Sequence, residues 1–62
     1  MIKLEKAEQP NEFIICFAEK IRTVKNVIEF ALDSNGWILL RTRDSEVLIQ
    51  KEKINWIEMK QL

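Results

Sequence analysis

Histidine is absent from this chain, and cysteine, glycine and proline each occur once. Without histidine and with a single thiol, the chain cannot build a zinc cluster or a Cys-His or Ser-His-Asp catalytic group from its own residues. One glycine is too few for a phosphate-binding loop. Carboxylate pairs such as Glu52 and Glu58 are typical of a solvated surface. The sequence therefore predicts no enzyme, no cofactor and no metal site.

The one cysteine, Cys16, lies inside the apolar segment Phe13–Ala18, which is typical of a small buried hydrophobic residue. A lone thiol cannot form an intramolecular disulfide, and this favours a reducing compartment. No apolar run approaches the roughly 20 residues of a membrane span, and the N-terminal residues lack the apolar centre of a signal peptide. We therefore expect a cytoplasmic protein without a membrane partner.

Charge of neither sign predominates, because ten Lys and Arg residues balance ten Asp and Glu residues. A nucleic-acid-binding domain usually carries a basic excess, so any such binding here must come from a local cluster of cations. With 62 residues the chain is expected to form a single domain whose small core leaves stability marginal. Oligomerisation is a natural source of the missing stability, and the sequence predicts a homo-oligomer.

The C-terminal part of the chain has the pattern of a β-meander. Asp33–Gly36 ends in Asn-Gly, a pair that tolerates the positive φ angles of a tight hairpin turn. Short apolar runs rich in β-branched and aromatic residues follow, with polar or charged residues between them. The predicted strands are Trp37–Thr42, Val47–Ile49 and Ile54–Met59, with a second turn at Arg43–Glu46 and a charged link at Lys51–Lys53.

The N-terminal part is less regular. Met1–Glu8 alternates weakly between apolar and charged residues, which fits either a short edge strand or one helical turn. Pro10 then interrupts the pattern, because proline has no backbone N–H and restricts the residue before it. Phe13–Ala18 is short and continuously apolar, and this predicts a strand that is buried on both faces.

Glu19–Asp33 fits two kinds of structure. As a helix it would place its apolar residues on one wide face and its charged residues opposite. As strands it alternates around Ile28, Phe30 and Leu32, with a bulge or bend at Val24–Val27. The many β-branched and aromatic residues, together with the lack of a suitable N-cap residue, favour strands. The helix remains the alternative.

Cations and aromatic residues alternate along the C-terminal part. The cations predicted to lie at adjacent strand ends and connections, with two tryptophans nearby in sequence, are Arg41, Arg43, Lys51 and Lys53. Phosphate contacts and base stacking by such residues are typical of proteins that bind single-stranded nucleic acid. The simpler interpretation, which we favour for each tryptophan, is packing in a small core or a subunit interface.

The segment Val47–Ile57 resembles the second motif of the Sm-like family, which includes LSm proteins and Hfq. In that motif an apolar strand end passes through a polar loop into a short strand with two apolar anchors. Phe30, Asp33 and Ile38–Leu40 similarly resemble the end of the family's first motif. The resemblance covers the chain from about Phe13 to Met59 and rests mainly on apolar spacing.

This resemblance implies a small, strongly bent antiparallel β-barrel whose last two strands pair between neighbouring subunits to form a ring. The turn Asp33–Gly36 and the loop Gln50–Lys53 would then line an RNA-binding pore. Asn35 and Lys51 stand where the family places residues that contact RNA.

Together these observations predict an all-β fold, a small Sm-like or SH3-like barrel. The alternative is an α+β fold with a helix over residues 19–33 packed on a three- to four-stranded antiparallel sheet. The favoured function is an oligomeric module that binds RNA or single-stranded DNA. A protein-interaction or assembly module without a nucleic-acid role, as in a small phage or bacterial accessory protein, is the alternative. The predicted nucleic-acid-binding residues are Asn35, Arg41, Arg43, Lys51 and Lys53.

Overall fold

The computed structural model of the protein describes residues 3–62 and is built almost entirely from β-strands. No α-helix occurs in this part of the chain, and the only helical segment is a single 3-10 turn at Lys51–Lys53. The all-β prediction is therefore confirmed. The strands are β1 (Glu5–Lys6), β2 (Asn11–Phe17), β3 (Ile21–Lys25), β4 (Glu29–Ser34), β5 (Trp37–Arg41), β6 (Glu46–Gln50) and β7 (Ile54–Gln61).

The strands form two antiparallel sheets. Sheet A has the order β1-β4-β5-β6, and sheet B has the order β3-β2-β7. The meander predicted for the C-terminal part is split between them, because β4, β5 and β6 lie in sheet A while β7 crosses over and pairs with β2. Hydrogen-bonded pairing among the described residues joins these strands into two sheets, not into one closed barrel.

The ambiguous segment Glu19–Asp33 forms strands, so the helix over residues 19–33 is wrong. It divides into β3 in sheet B and β4 in sheet A, with a bend between them at Asn26, where φ is 59°. The predicted bend at Val24–Val27 is thus present. Its β-branched residues suit a pleated surface better than a helix, and each strand gains hydrogen bonds from a neighbouring strand.

A buried asparagine joins the two sheets at this bend. The Asn26 N–H donates to the Asn11 carbonyl, and the Ile28 N–H donates to the Arg41 carbonyl. Val27 lies between these two hydrogen bonds, and among the described residues its backbone bonds to the Asn11 side chain alone. The Asn11 amide accepts from the Val27 N–H at 3.2 Å and donates to the Val27 carbonyl at 2.8 Å. The side chain thereby replaces a strand partner at the crossing point, which is why a polar residue occupies the core.

The core lies between the inner faces of the two sheets. Phe13 of β2 contacts Phe30 of β4 across this space, with ring centroids 5.2 Å apart. β2 was predicted to be buried on both faces, but only one face is fully buried, while Ile14 and Cys16 on the other are half-buried. The expected burial of the cysteine is therefore only partial. The buried cluster comprises Phe13, Ile15, Val24, Val27, Ile38, Leu40 and Ile49.

Sheet edges occur at four strands. Of the two structures that Met1–Glu8 fits, an edge strand or one helical turn, the strand is present as the short β1, which pairs with β4. The first two residues of that segment lie outside the described residues. Among the strands of residues 3–62, β3, β6 and β7 also each pair with one neighbour only. None of the helical structure in residues 3–62 is long and apolar enough to span a membrane.

Candidate nucleic-acid interface

The turn between β4 and β5 presents Asn35 to solvent. Ser34 and Trp37 are paired across it, so only Asn35 and Gly36 form the loop. Both have positive φ, 54° and 84°, as a two-residue turn of this kind requires and as the Asn-Gly pair predicts. β4 carries one extra residue just before the turn, because the register shifts between Ala31 and Ser34. A bulge of this kind bends the strand locally and increases its twist.

Lys51 lies directly beside this turn. Its backbone N–H donates to the Gly36 carbonyl at 2.8 Å, which continues the pairing of β5 with β6 into the 3-10 turn. Its side-chain Nζ contacts Asp33 Oδ2 at 3.1 Å. The hydrogen bond from Lys51, its positive charge and a smaller contribution from the Gly36 N–H lower the pKa of the Asp33 carboxyl. Both side chains are largely exposed, so an incoming phosphate can compete with Asp33 for the ammonium group.

The Asn35–Gly36 turn and Lys51 line one open cleft of about 550 Å³ at the end of the β4–β5 hairpin. Its residues offer a cation, side-chain amides and an indole ring, all of which are groups that contact single-stranded nucleic acid. Asn35 and Lys51, the two residues selected by family resemblance, are therefore brought together. The cleft is lined by Asn35, Gly36, Trp37, Gln50, Lys51 and Glu52.

An apolar hollow adjoins the cleft on the outer face of sheet A. It has a volume of about 410 Å³ and shares Asn35 and Trp37 with the cleft, while Leu39 and Leu48 form its apolar surface. Leu39 lies opposite Leu48 in the ladder. Trp37 is 41% exposed and Leu48 is 61% exposed, so an apolar group can reach them from solvent.

Arg41 lies at the opposite end of β5 and is engaged within the molecule. Its guanidinium contacts Glu29 Oε1 and Glu46 Oε1, each at 2.9 Å. The hydrogen bonds from Arg41 to Glu29 and to Glu46 raise the pKa of the arginine above its ordinary value. Arg41 therefore links β4, β5 and β6, and two acidic side chains already occupy its donors.

The remaining predicted cations are separated from the cleft. Arg43 is exposed in the turn between β5 and β6, which spans Thr42–Ser45 and so begins one residue earlier than predicted. Lys53 lines a different hollow that faces the turn between β2 and β3, together with Lys20. The four cations therefore lie at strand ends and connections, as expected, but they do not form one cluster. Arg41 and Arg43 lie at one end of the β5–β6 hairpin and Lys51 lies at the other.

Neither tryptophan belongs to the core, so that part of the prediction is wrong. Trp56 lies on the outer face of sheet B, opposite Cys16 of β2, and is about as exposed as Trp37. Packing of either residue in a subunit interface stays a prediction. A strand has two faces, and apolar alternation does not tell which face a small domain covers.

Two contributors to the site were not identified from the sequence. Asp33 holds Lys51 although the two residues are 18 positions apart, and Leu48 reaches the hollow through its pairing with Leu39. The hairpin register alone could have identified Leu48, because a two-residue turn determines which residues face each other. Within the described part of the chain, no group of three or more potential metal ligands lies together.

Comparison with known proteins adds no relative from which residue roles could be transferred: no family model, curated protein or solved structure matches this chain.

Proposed function

We propose that this protein is a self-associating module that binds single-stranded nucleic acid, RNA or DNA, at the cleft between the Asn35 turn and Lys51. The observation that carries the proposal is the convergence of Asn35, Trp37 and Lys51 on one exposed cleft. Lysine supplies attraction to phosphate, the asparagine amide can hydrogen-bond to base edges, and the indole can stack on a base.

The chain's connectivity supports the finer proposal of a strongly bent Sm-like or SH3-like barrel. Hydrogen bonds run from sheet B to sheet A through Asn26, Val27 and Ile28, so β3 and β4 behave as one bent strand. The 3-10 turn then carries the chain from β6 to β7, which returns to β2. On this proposal the two sheets are the two halves of one barrel.

The neutral net charge sets the expected strength of binding. Within residues 3–62, Lys51 is the one cation that lines the cleft, because Arg41 lies at the other end of β5, where it is bonded to two carboxylates. A single copy therefore makes few phosphate contacts, and affinity depends on several copies acting on one strand. Linked sites raise overall affinity without any new contact, which is a reason for the module to assemble.

The test is a titration of the full chain with labelled oligo-U, oligo-A and single-stranded DNA at several salt concentrations. We expect binding at low salt that weakens as salt rises, with a slope of about 0.7 per phosphate contact in a log-log plot. Lys51→Ala should lower affinity about three- to tenfold and reduce this slope, while the melting temperature stays nearly unchanged because the lost ion pair is exposed.

Lys25→Ala is the matched control. It removes the same charge from an exposed position on β3 of the other sheet, and it should leave both affinity and slope close to those of the parent. Absence of binding at low salt, or binding without a salt slope, rejects the nucleic-acid proposal. Equal loss in the two variants assigns the effect to overall charge and moves the site away from the cleft.

A protein-assembly role is the second candidate, and one observation favours it. Several large apolar residues are exposed on the two sheets, and two of them, Trp37 and Leu48, adjoin at the apolar hollow, as is typical of an interaction site. If oligonucleotides fail to bind and the protein still self-associates, this role becomes the better account. The residues are Ile21, Ile28, Leu32, Trp37, Leu48, Trp56, Met59 and Leu62.

A further inference from the structure

β7 is the longest strand among the described residues, yet it lies at the edge of sheet B. It spans Ile54–Gln61 and pairs only with β2. Met59 on this strand is 48% exposed, and Leu62 just beyond it is 62% exposed. A long edge strand with exposed apolar residues and no proline is a ready template for pairing with another strand.

The hydrogen-bond pattern shows which backbone groups of β7 are free to pair. The Leu62 N–H donates to the Pro10 carbonyl at 2.9 Å, so the backbone of residue 62 points towards β2. In an antiparallel ladder this direction alternates from residue to residue. Ile57, Met59 and Gln61 therefore present their N–H and C=O groups at the outer edge, where no strand of the described chain pairs with them.

We infer that this edge pairs with β7 of a second copy, antiparallel and centred on Met59. Met59 then faces the partner subunit's Met59, and Ile57 faces the partner subunit's Gln61. In this register, the three residues whose backbone groups point outward exchange hydrogen bonds with the three outward-pointing residues of the partner strand. The pairing is self-complementary, as a two-fold interface requires, and it joins two copies of sheet B into one six-stranded sheet.

Side-chain charges select this register over its neighbours. Centring on Met59 places Glu58 opposite the partner subunit's Lys60, and symmetry repeats the pair. Shifting the centre by one residue would oppose Glu58 to the partner subunit's Glu58, or Lys60 to the partner subunit's Lys60. Opposite charges across a ladder stabilise it and like charges destabilise it.

The same register pairs apolar residues. Trp56 falls opposite the partner subunit's Leu62, and both are exposed in the single copy. Within one copy, Lys60 already lies opposite Glu12 of β2. The row Glu12, Lys60 and the partner subunit's Glu58 thus alternates in sign across three adjacent strands, which adds charge complementarity to the backbone pairing.

This pairing specifies the self-association in the proposed function, and it does not depend on nucleic-acid binding. The residues that pair, Ile57 to Leu62, are not among those that line the Asn35–Lys51 cleft. It also differs from a ring, in which β7 would pair with β6 of a neighbour, because one edge cannot serve both partners. The expected assembly is a two-fold dimer.

The test introduces proline at the edge. Met59→Pro removes an N–H that points away from β2, so the β2–β7 ladder stays intact while the dimer pairing is blocked. Sedimentation or light scattering over a concentration series should give a dimer for the parent. For Met59→Pro we expect a dimer dissociation constant about 100-fold higher or more.

Leu48→Pro is the matched control on a different edge strand, β6. The Lys51 N–H bonds to Gly36 on β5, so by the same alternation the backbone of Leu48 points outward from β6. Leu48→Pro should therefore leave the dimer unchanged. Circular dichroism of both variants checks that the strands persist.

Glu58→Lys tests the register even if a proline variant fails to fold. It places a lysine opposite the partner subunit's Lys60, and symmetry repeats this repulsion, so the dissociation constant should rise roughly tenfold, with less effect at high salt. Glu52→Lys, in the 3-10 turn, makes the same charge change and should leave the dimer dissociation constant unchanged. The inference would be overturned if the parent is monomeric at millimolar concentration or has a mass above that of a dimer. It would also be overturned if Leu48→Pro dissociates the dimer or if the two charge variants have equal effects.

Discussion

Two asparagines, Asn11 and Asn35, have opposite surroundings in this small domain. Asn11 is 1% exposed, and its amide bonds both backbone groups of Val27 where the chain passes from one sheet to the other. Asn35 is exposed at a hairpin turn, where its positive φ maintains the turn and its amide faces solvent. The same side chain therefore serves folding at one position and is available for binding at the other. Burial and the surrounding backbone decide between these roles.

The ends of the β5–β6 hairpin differ in the same way. At one end, the Arg41 guanidinium forms ion pairs with Glu29 and Glu46 and thereby links three strands. At the other end, Lys51 has one exposed carboxylate partner beside an open cleft. A cation with two internal partners is poorly placed to bind a ligand, whereas an exposed ion pair exchanges readily. Counting cations along the sequence does not make this distinction.

The largest expected effect comes from removing the buried amide. Asn11→Ala leaves the N–H and C=O of Val27 without partners in the core, which should destabilise the protein by about 2–4 kcal/mol. A chain of this length has a total stability of roughly 3–9 kcal/mol, so the variant should be close to unfolding at room temperature. Denaturant unfolding followed by circular dichroism measures the change.

Asn26→Gly is the control for this prediction. It lies at the same bend, but Asn26 is exposed and has φ of 59°, a conformation that glycine adopts without strain. We expect a change of less than about 0.5 kcal/mol. Comparable losses at the two positions would mean that the bend tolerates no substitution, and that the Asn11 hydrogen bonds have no special importance.

A smaller effect is expected at the exposed asparagine, and it concerns binding alone. Asn35→Gly keeps the positive φ of the turn but removes the amide, so stability should be maintained while oligonucleotide affinity falls about three- to tenfold. Fluorescence anisotropy with oligo-U measures the affinity, and a thermal melt measures stability. A destabilised variant with unchanged affinity would reverse the roles assigned to the two asparagines.

The smallest effect is a pH dependence at the cleft. The folded-state pKa of Asp33 is lowered from 3.8, mainly by the hydrogen bond from Lys51. Such a group stabilises the folded state above its unfolded-state pKa, and this contribution is lost as pH falls through the folded-state value. The parent should therefore melt slightly above Asp33→Asn at neutral pH. The difference should begin to shrink as pH falls to about 3.8 and should disappear only below the lowered folded-state pKa. Because other carboxylates titrate in this range, the difference between the two proteins is the quantity to measure.

Local chemistry made several features predictable. The Asn-Gly turn, the short apolar strands after it and the strand character of Glu19–Asp33 follow from φ preferences and from side chains that suit a pleated surface. The closeness of Asn35 and Lys51 was inferred through family resemblance, and the structure places both at one cleft. In each case the signal lies within a few residues or in a fixed hairpin register.

Long-range partners were not predictable. Asn11 follows Pro10, in a segment where the sequence predicts an interruption of the strand pattern. Nothing local indicates that its amide bonds Val27, 16 residues away. The engagement of Arg41 by Glu29 likewise depends on the pairing of β4 with β5. The exposure of Trp37 and Trp56 depends on which sheet faces are covered by the rest of the chain.

The sequence by itself favoured an all-β chain over the α+β alternative, and it determined the main turn and the absence of histidine chemistry, because these depend on composition and on the preferences of neighbouring residues. Only the tertiary structure decided that the strands form two sheets joined through Asn11, that Arg41 is engaged and Lys51 exposed, and that β7 offers a free edge. These features depend on contacts between residues distant along the chain, whose energies are set by burial and geometry after the strands have paired.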